Sequence, residues 1–408
     1  MKHKVVITGL GLISPFGVGI SKNWMFAKKG KTAIAPIKSI DTGTLWTKLG
    51  AEIPPIDFRA YFPEIRPDRM DRSTLLALIA AQEAIHQANL TKQDCMDTGI
   101  MVGTCFSTIQ TKESTYLRLA ETEEGISPLI FIKSMDNAAS GEIAVHFGLK
   151  GINQTIFTAC SASTMALGGA YRLIREGYAK RILVGGTESP ITRFIIRGWE
   201  KLHLISDTQT ATQLKGPFSK GRNGLVLGEG AGFLVLESDA EAKRRQASAY
   251  ASIIGFGTNC DATHLSTPDA HSQSQAIHLA LKNARLKPEK VQYINAHGTG
   301  TIMNDRVETQ AIKLAFEKLA YSVPIGTLKS QIGHTMGASG AIETIFTLLM
   351  MRHNTILPTV NFESGDANCD LDYVPNKARE VDSLEYALKT SFGFGGSNAV
   401  LILKKEAL

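Results

Sequence analysis

The cysteine at position 160 lies where an apolar, β-branched run ends and a series of small residues begins. Residues 155–159 predict a buried strand, and residues 161–170 predict a helix that can pack closely against its neighbours. At such a junction, free backbone N–H groups and the positive end of the helix dipole lower the pKa of a thiol. The position predicts an ionised, nucleophilic Cys160, and a cysteine that only packs in the core is the alternative that this stretch leaves open.

Three short segments in the second half carry further residues that could do chemistry. His297 follows an apolar run at the end of a predicted strand, and Lys329 and His334 lie five positions apart in a loop before a helix of small residues. Residues 391–398 alternate glycines with aromatic residues at a turn. A single histidine is more often structural, but sites are usually built on loops at the ends of strands and helices. Together with Cys160, these segments supply a nucleophile, two imidazoles, a cation and a flexible turn.

The elements that must position these residues alternate between strands and helices, as in a parallel sheet covered by helices. Strands are predicted at residues 5–8, 99–104, 152–159, 181–188, 230–237, 251–257, 293–297 and within 388–403, and longer helices at 71–87, 272–284, 305–318 and 338–351. The second half repeats the order of the first, which indicates a duplication. The chain has 408 residues, of which 43% are hydrophobic, so it can form two or three domains or two fused halves.

Composition argues against several classes of function. The net charge of +6 is dispersed along the chain, so nucleic-acid binding is disfavoured. No segment approaches the ~18 consecutive apolar residues of a membrane span, and no signal peptide precedes the first strand, so we expect a cytoplasmic protein without membrane association. Five scattered cysteines without a Cys-x-x-Cys pair argue against a disulfide framework and a zinc site, so no metal is predicted.

Four motifs in combination point to one protein family. They are Thr158-Ala159-Cys160-Ser161, Asn295-Ala296-His297-Gly298-Thr299, Lys329-Ser330-x-x-Gly333-His334 and Gly393-Phe394-Gly395-Gly396-x-Asn398. With them the chain resembles the β-ketoacyl-acyl-carrier-protein synthases, most closely the type II elongating enzymes, over residues 4–404. The resemblance implies an α/β, thiolase-like duplicated fold with α-β-α-β-α layers and two mixed sheets. Its N-terminal half, residues 1–250, would carry the nucleophile, and its C-terminal half, residues 251–408, the histidines and the lysine.

The resemblance also implies the chemistry. Cys160 would take an acyl group from a carrier thioester, which divides one condensation into two transfers. Backbone N–H groups of Cys160 and Phe394 would form the oxyanion hole. His297 and His334 would hold the thioester oxygen of malonyl-carrier while decarboxylation places negative charge there. The product would be a 3-oxoacyl-carrier two carbons longer.

The remaining catalytic roles implied by the family concern charge and movement. Lys329 would set the local field, and Glu308 would pair with it, because a buried ammonium without a partner tends to lose its proton. Phe394 would act as a gate that moves when Cys160 is acylated, and Gly395 and its neighbouring glycines would supply the freedom to move.

Substrate contacts and partners follow from the same resemblance. Thr299 and Thr301 would line the phosphopantetheine tunnel, and Asn398 would brace the gate loop. The carrier protein brings the phosphopantetheine, so no cofactor of the enzyme's own is predicted, and a structural monovalent cation is left open.

An acidic acyl carrier protein is the expected partner, docking on a basic rim for which Arg66, Arg69 and Arg72 are the candidates. Ordinary surface charge is the alternative for these three arginines. The strand at residues 155–158 would pair in a homodimer or in a heterodimer with a homologous chain.

Departures from the family pattern leave the pathway open. Phe106 stands where an isoleucine usually lines the acyl pocket, which predicts a shortened or redirected pocket. Gly300 and Asn223 also differ from the usual serine and aspartate. Fatty-acid elongation and a type II polyketide or polyene system both fit, since fold does not fix substrate.

Functions other than condensation fit the motifs less well. A non-catalytic chain-length-factor-like subunit would lack the nucleophile, and a thiolase would need a second cysteine, which residues 390–400 do not contain. A cysteine-dependent acyltransferase or hydrolase of the same fold would leave the second histidine, the lysine and the glycine turn without roles.

Overall fold

Residues 2–122 and 127–406 are described by a computed structural model of the chain. The strands are β1 (Val5–Ser14), β2 (Gly17–Val18), β3 (Ala35–Pro36), β4 (Leu49–Gly50), β5 (Thr98–Gly103), β6 (Asn153–Ile156), β7 (Arg181–Glu188), β8 (Gly230–Ser238), β9 (Ala251–Cys260), β10 (Tyr293–Asn295), β11 (Ile325–Gly326), β12 (Thr355–Ile356), β13 (Arg379–Glu380), β14 (Tyr386–Gly393) and β15 (Ser397–Lys405).

The α-helices of the described residues are α1 (Ile20–Lys28), α2 (Arg72–Gln87), α3 (Lys92–Met96), α4 (Ile109–Glu121), α5 (Ile130–Lys133), α6 (Ala138–Phe147), α7 (Ala162–Arg175), α8 (Arg193–Lys201), α9 (Asp239–Arg244), α10 (Ala270–Ala284), α11 (Ile302–Phe316), α12 (Lys329–Ile332) and α13 (Ser339–His353). Asp71 caps α2 by accepting a hydrogen bond from the backbone N–H of Ser73, so the helix begins where the sequence predicts.

The two halves of the sheet have the same topology. In the first half the strands lie in the order β6-β5-β7-β8-β1, and in the second half in the order β11-β10-β14-β15-β9. In each half the three strands at the outer end pair in parallel and the remaining two pair antiparallel. The predicted duplication is therefore a repeat of five strands with identical order and direction.

A short seam joins the two mixed sheets. β1 pairs antiparallel with β9 over three residues, Val5 to Ile7 opposite Ile253 to Ala251, while its remaining length pairs with β8. Hydrogen bonds thus run across the junction, and the two predicted sheets are continuous at this point.

Helices α7 and α13 form the middle of five layers. α7 contacts β5 and β7 on one side and β9 and β15 on the other, and α13 lies between β7, β8 and β14. Helices α2 and α6 cover the outer face of the first half, and α10 and α11 that of the second. The predicted α-β-α-β-α thiolase-like fold is confirmed, whereas the division at residue 250 stays a prediction.

Small residues allow the middle layer to pack closely. A Cβ on Gly103 would lie 2.3 Å from the backbone nitrogen of Ser163, so β5 and α7 could not approach as they do with any side chain there. A Cβ on Gly340 would lie 2.1 Å from Oγ1 of Thr164, where α13 crosses α7. The prediction that the helix after Cys160 packs closely against its neighbours is confirmed.

The strand before Cys160 differs from its prediction. β6 has four residues rather than eight, lies at the edge of the sheet and is partly exposed along its length. Phe157, which follows it, is also exposed. The apolar run predicted a buried strand because sequence alone does not distinguish burial inside one chain from a sheet edge. Among the described helices, none has both the length and the apolar character needed to cross a bilayer.

Candidate active site

Cys160 lies on a tight turn between β6 and α7. Ala159 has a φ of +49°, a left-handed conformation that few non-glycine residues adopt, and it turns the chain so that the thiol precedes the first turn of α7. Ser161 holds the turn, because its Oγ donates to the carbonyl of Thr158 at 2.7 Å and to Oγ of Ser397 at 3.1 Å. The predicted position of the cysteine at a strand-to-helix junction is correct.

The two histidines come from the second half of the fold. His297 follows β10, and its backbone N–H donates to Oε1 of Glu308 at 2.7 Å. His334 lies between α12 and α13, and its backbone N–H donates to the carbonyl of Val226 at 2.7 Å. The two imidazole rings are 5.4 Å apart between centroids and nearly perpendicular, at 82°.

The structure brings the predicted nucleophile and both imidazoles together. The sulfur of Cys160 and one ring nitrogen each of His297 and His334 all lie within 4.8 Å of one another, and all three residues are buried. Three such atoms could hold a metal ion. The ammonium group of Lys329, which lowers the pKa of both histidines, also opposes a second cation there. The metal-free site stays a prediction.

Hydrogen bonds fix the tautomer of His334. The backbone N–H of Met336 donates to Nδ1 of His334 at 3.1 Å, so Nδ1 is unprotonated. The proton of the neutral ring must then be on Nε2, which is buried and has no partner in the described part of the chain. His334 therefore presents an unpaired N–H donor.

Burial dominates the protonation of the three groups. It lowers the pKa of both His297 and His334 well below the usual value, and Lys329 lowers both further, so the imidazoles are neutral at pH 7. Burial raises the pKa of the Cys160 thiol to about 12, although Lys329 acts in the opposite direction. Burial therefore opposes the ionised thiol that the sequence predicts, because desolvation outweighs the attraction of the Lys329 ammonium.

The predicted pairing of Glu308 with Lys329 is wrong. The ammonium of Lys329 contacts Oε1 of Glu343, a residue of α13. Glu308 accepts hydrogen bonds from the backbone N–H groups of His297 and Gly298, at 2.7 and 2.8 Å, and from the hydroxyl of Thr390 at 2.7 Å. Its carboxylate therefore fixes the backbone at His297 rather than the charge of the lysine.

A cavity of about 80 Å³ leads to this cluster. Cys160, His297 and His334 lie in its wall, and so do Thr299, Thr301, Phe394 and Asn398 among the residues predicted to contact substrate or to gate it. Thr299 and Thr301 share a hydrogen bond of 2.9 Å between their hydroxyls. The roles of these residues in substrate binding and gating stay predictions.

Phe106 and Gly395 do not belong to the described lining of this cavity. Phe106 packs instead in an apolar cluster that also contains Cys160, Ile195 and Met336, and its backbone N–H donates to Glu188 at 3.0 Å. It therefore lies on the apolar side of the nucleophile, and its effect on the acyl chain stays a prediction.

The glycine turn carries the predicted gate. Phe394 is 37% exposed, and its ring packs on that of Trp199, with centroids 5.3 Å apart. Gly395 has a φ of +81°, and its N–H donates to the carbonyl of Leu265 at 2.7 Å. Asn398 holds the neighbouring segment, because its side-chain amide donates to Asp261 at 2.6 Å and to Asn259 at 3.0 Å. These two hydrogen bonds are consistent with the predicted role of Asn398 in bracing the gate loop.

The three arginines predicted to dock a carrier divide into two groups. Arg66 and Arg69 line a surface groove together with Arg118 and Lys133. Arg72 instead binds Glu229 through two hydrogen bonds of 2.7 and 2.8 Å. Arg72 is therefore an ion-pair partner of Glu229, and its docking role stays a prediction.

Sequence reasoning missed several residues of the site. Glu343 is the only charged residue in residues 339–351, and Lys389 is the only one in β14. A single charge in an otherwise uncharged buried element needs a partner, which is the signal that could have found both. Glu188, which accepts hydrogen bonds from Cys105, Phe106 and Gly337, was also missed.

Known proteins are similar to this chain in both sequence and architecture. Residues 2–242 match the family model "Beta-ketoacyl synthase, N-terminal domain" and residues 250–363 match "Beta-ketoacyl synthase, C-terminal domain". The 3-oxoacyl-[acyl-carrier-protein] synthase 2 of Synechocystis sp. is 38% identical over 410 residues, which cover 99% of this chain and 98% of that protein.

Two solved structures superpose over the full length of both chains. The ishigamide ketosynthase/chain length factor has a TM-score of 0.94 at 31% identity. A type II polyketide ketosynthase in complex with its acyl-carrier protein has a TM-score of 0.90 at 30% identity. The fold is that of the thiolase-like ketosynthases. The chain belongs to the β-ketoacyl synthase family, which confirms the resemblance seen in its motifs.

Proposed function

We propose that this chain catalyses the decarboxylative condensation of an acyl group on Cys160 with malonyl-acyl-carrier-protein to give 3-oxoacyl-acyl-carrier-protein. One observation carries the proposal: a buried thiol and two neutral imidazoles, one with an unpaired N–H donor, meet at the wall of one cavity. The Synechocystis relative is named a 3-oxoacyl-[acyl-carrier-protein] synthase, and one of the similar solved structures is a ketosynthase bound to its acyl-carrier protein. Both names support substrates that are carried on an acyl carrier protein.

In the first step, Cys160 attacks the carbonyl carbon of an acyl-carrier thioester. Because the pKa of the thiol is about 12, its proton must leave as the new C–S bond forms. His297 is neutral and lies within reach of the sulfur, so it can accept this proton. The proton then passes to the departing phosphopantetheine sulfur, and the acyl group remains on Cys160.

In the second step, malonyl-carrier loses carbon dioxide and its thioester becomes an enolate. The Nε2–H of His334 and the N–H of the neutral His297 ring can donate to the enolate oxygen, and donors that act only when charge develops lower the barrier. The α-carbon attacks the acyl carbonyl carbon, the bond to the Cys160 sulfur breaks, and that sulfur takes up a proton from solvent. Over both steps, one acyl-carrier, one malonyl-carrier and one proton give one 3-oxoacyl-carrier, one free carrier thiol and one carbon dioxide.

Mass spectrometry of the carrier tests this reaction directly. Acyl-carrier and malonyl-carrier incubated with the enzyme should give a carrier species longer by two carbons, and Cys160→Ala should abolish it while still releasing carbon dioxide from malonyl-carrier. Cys95→Ala is the matched control, since it removes a buried thiol outside the cavity lining. Free acid or coenzyme A exchange as the sole product would contradict condensation and favour a hydrolase or acyltransferase.

The groove lined by Arg66 and Arg69 is the proposed docking site for the acidic carrier. Arg118 and Lys133 add positive charge to the same groove. Rim charges mainly affect association, so Arg69→Glu should raise KM for the carrier with little change in kcat. Lys404→Glu, on β15, is the control. Equal KM values in both variants would contradict docking at this groove.

The exposed edge of β6 is the proposed contact with a second chain. An unpaired edge next to exposed Phe157 is a surface that strand pairing would cover. Native mass measurement should give a dimer, and Thr155→Pro at the edge should weaken it. A dimer formed by this chain alone indicates a homodimer, and dimerisation only with a homologous chain indicates a heterodimer.

The apolar surroundings of Cys160 are proposed to determine which acyl chain the enzyme prefers and, through that preference, which pathway it serves. The proposed boundary of the acyl pocket is Phe106, packed in the cluster that contains Cys160. Acyl adducts on Cys160, measured by mass spectrometry across a chain-length series, would distinguish fatty-acid elongation from a polyketide or polyene system. The enzyme is proposed to act without a cofactor of its own.

A further inference from the structure

A second buried lysine lies behind the histidines and has no role in the steps above. Lys389, on β14, is 0% exposed. Its ammonium group lies 2.8 Å from Oε2 of Glu343, contacts the backbone carbonyl of Thr390 and donates to Oγ of Ser391 at 3.2 Å. Lys329 contacts the other oxygen of the same carboxylate. Two ammonium groups therefore share Glu343.

The nearest other carboxylate does not take up either lysine. Glu308 is occupied by two backbone N–H groups and the hydroxyl of Thr390. Burial and the neighbouring Lys329 lower the pKa of Lys389, and Glu343 and, more weakly, Glu308 raise it, so that the pKa lies below its usual value. The contact of 2.8 Å with Glu343 is the interaction that favours the charged form of Lys389.

The charge of Lys389 reaches both imidazoles. After burial, Lys329 and Lys389 are among the groups that lower the pKa of His297 and of His334. The titratable groups shown to act on the two rings are Cys160, Lys329 and Lys389, while Glu308 holds the backbone of His297 and Glu343 pairs with both lysines. The positive charges of the two lysines thus favour neutral imidazole rings. They would also stabilise negative charge on the enolate oxygen of the proposed second step.

The oxygen atoms around the Lys389 ammonium are of kinds that could also hold a metal cation. A carboxylate, a backbone carbonyl and a hydroxyl are the ligands that hard cations prefer. The hydroxyl of Ser391 is fixed in turn by Thr164 of α7 at 2.7 Å, four residues after the nucleophile. An ammonium on a rigid strand between α7 and α13 occupies this position.

We propose that Lys389 is a built-in cation of the active site: a positioning residue that keeps His297 and His334 neutral donors and makes a monovalent metal ion at Glu343 unnecessary. This proposal rests on the condensing function proposed above, and it assigns the origin of the positive field at the enolate.

The first test is the cation dependence of the wild-type enzyme. Release of carbon dioxide from malonyl-carrier should proceed at equal rates in sodium, potassium and tetramethylammonium chloride at one ionic strength. In Lys389→Ala, which leaves space at Glu343, the rate should fall about 10-fold to 100-fold and be partly restored by potassium or ammonium chloride. A wild-type enzyme that requires potassium overturns the proposal, as does Lys389→Ala at the wild-type rate.

The second test does not depend on turnover. In Lys389→Met, the pKa of each imidazole, followed by NMR and assigned with His297→Ala and His334→Ala, should rise by about one pH unit. Lys404→Met on β15 is the control and should leave both values unchanged. Unchanged imidazole titration in folded Lys389→Met contradicts the proposal even if the enzyme condenses, whereas shifted titration in an enzyme that does not condense contradicts only the proposed function.

Discussion

The two halves of the molecule place different chemistry at equivalent positions of one topology. Counted in chain order among the five repeated strands, the third strand of the first half is β6, which leads to Cys160 and α7. The third strand of the second half is β11, which leads to Lys329, His334 and α13. The second strands, β5 and β10, lead to the loop of Phe106 and to His297. One half surrounds its reactive group with apolar side chains, and the other surrounds its groups with paired charges.

A buried glutamate fixes the backbone of the loop after the second strand in both halves. Glu188 accepts hydrogen bonds from the consecutive backbone N–H groups of Cys105 and Phe106, and Glu308 accepts them from His297 and Gly298. A buried carboxylate that orders the loop after the second strand is thus shared, whereas the side chains on the loop differ. The duplication supplied two facing positions, and their side chains have diverged, with Phe106 on one loop and His297 on the other.

The largest expected effect separates the charged half from the apolar half. His334→Ala removes the Nε2–H donor, and loss of one such donor costs about 10²-fold to 10³-fold in rate. Carbon dioxide release from malonyl-carrier should fall by that factor, while acyl transfer to Cys160, followed by mass spectrometry, should change far less. Equal losses in both steps would show that the two halves do not divide the chemistry.

The next effect concerns the thiol in its apolar surroundings. Because burial raises the pKa of Cys160 to about 12, the thiolate fraction grows about tenfold per pH unit across the neutral range. Alkylation of Cys160 by iodoacetamide should therefore accelerate about 100-fold between pH 7 and pH 9 without reaching a plateau. A plateau near pH 7 would instead support the ionised thiol that the helix terminus alone predicts.

Paired substitutions of the two loop carboxylates sharpen the comparison. Glu308→Gln should lower the rate of carbon dioxide release by about 10-fold, because the amide cannot accept from both backbone N–H groups and the hydroxyl. Glu188→Gln should lower acyl transfer more than carbon dioxide release. Stopped-flow measurement of both steps checks this division, and an identical pattern in the two variants would contradict it.

The last expected effect, also about 10-fold, concerns the preferred length of the acyl chain. Phe106→Ile should improve the relative rate with an acyl chain two carbons longer by about 10-fold, since a methylene in an apolar pocket has an effect of that size. Competition between two acyl-carriers measures it. Phe106→Leu, with nearly the same loss of aromatic volume, is the companion variant, and an unchanged preference in both would remove Phe106 from the pocket boundary.

The sequence predicted the parts of the fold and site that are local. The strands ending near His297 and beginning near Ser397 follow from apolar runs, and the convergence of Cys160, His297 and His334 follows from their motifs. Partner choice was not local: Glu308 and Glu343 are both acidic residues on helices, and only packing shows that Glu343 faces Lys329. The ionisation of Cys160 depends on burial, which a strand-to-helix pattern does not report.

The antiparallel pairing of β1 with β8 has a consequence for synthesis. The strand that begins at Val5 finds its main partner only at residues 231–238, and its seam with β9 only at residues 251–253. A ribosome must therefore extend the chain by more than half its length before this nearly all-apolar segment is covered. Sheets whose strands pair across such long sequence separations fold slowly and expose aggregation-prone intermediates. We therefore expect a nascent chain of this enzyme to bind chaperones that act during translation.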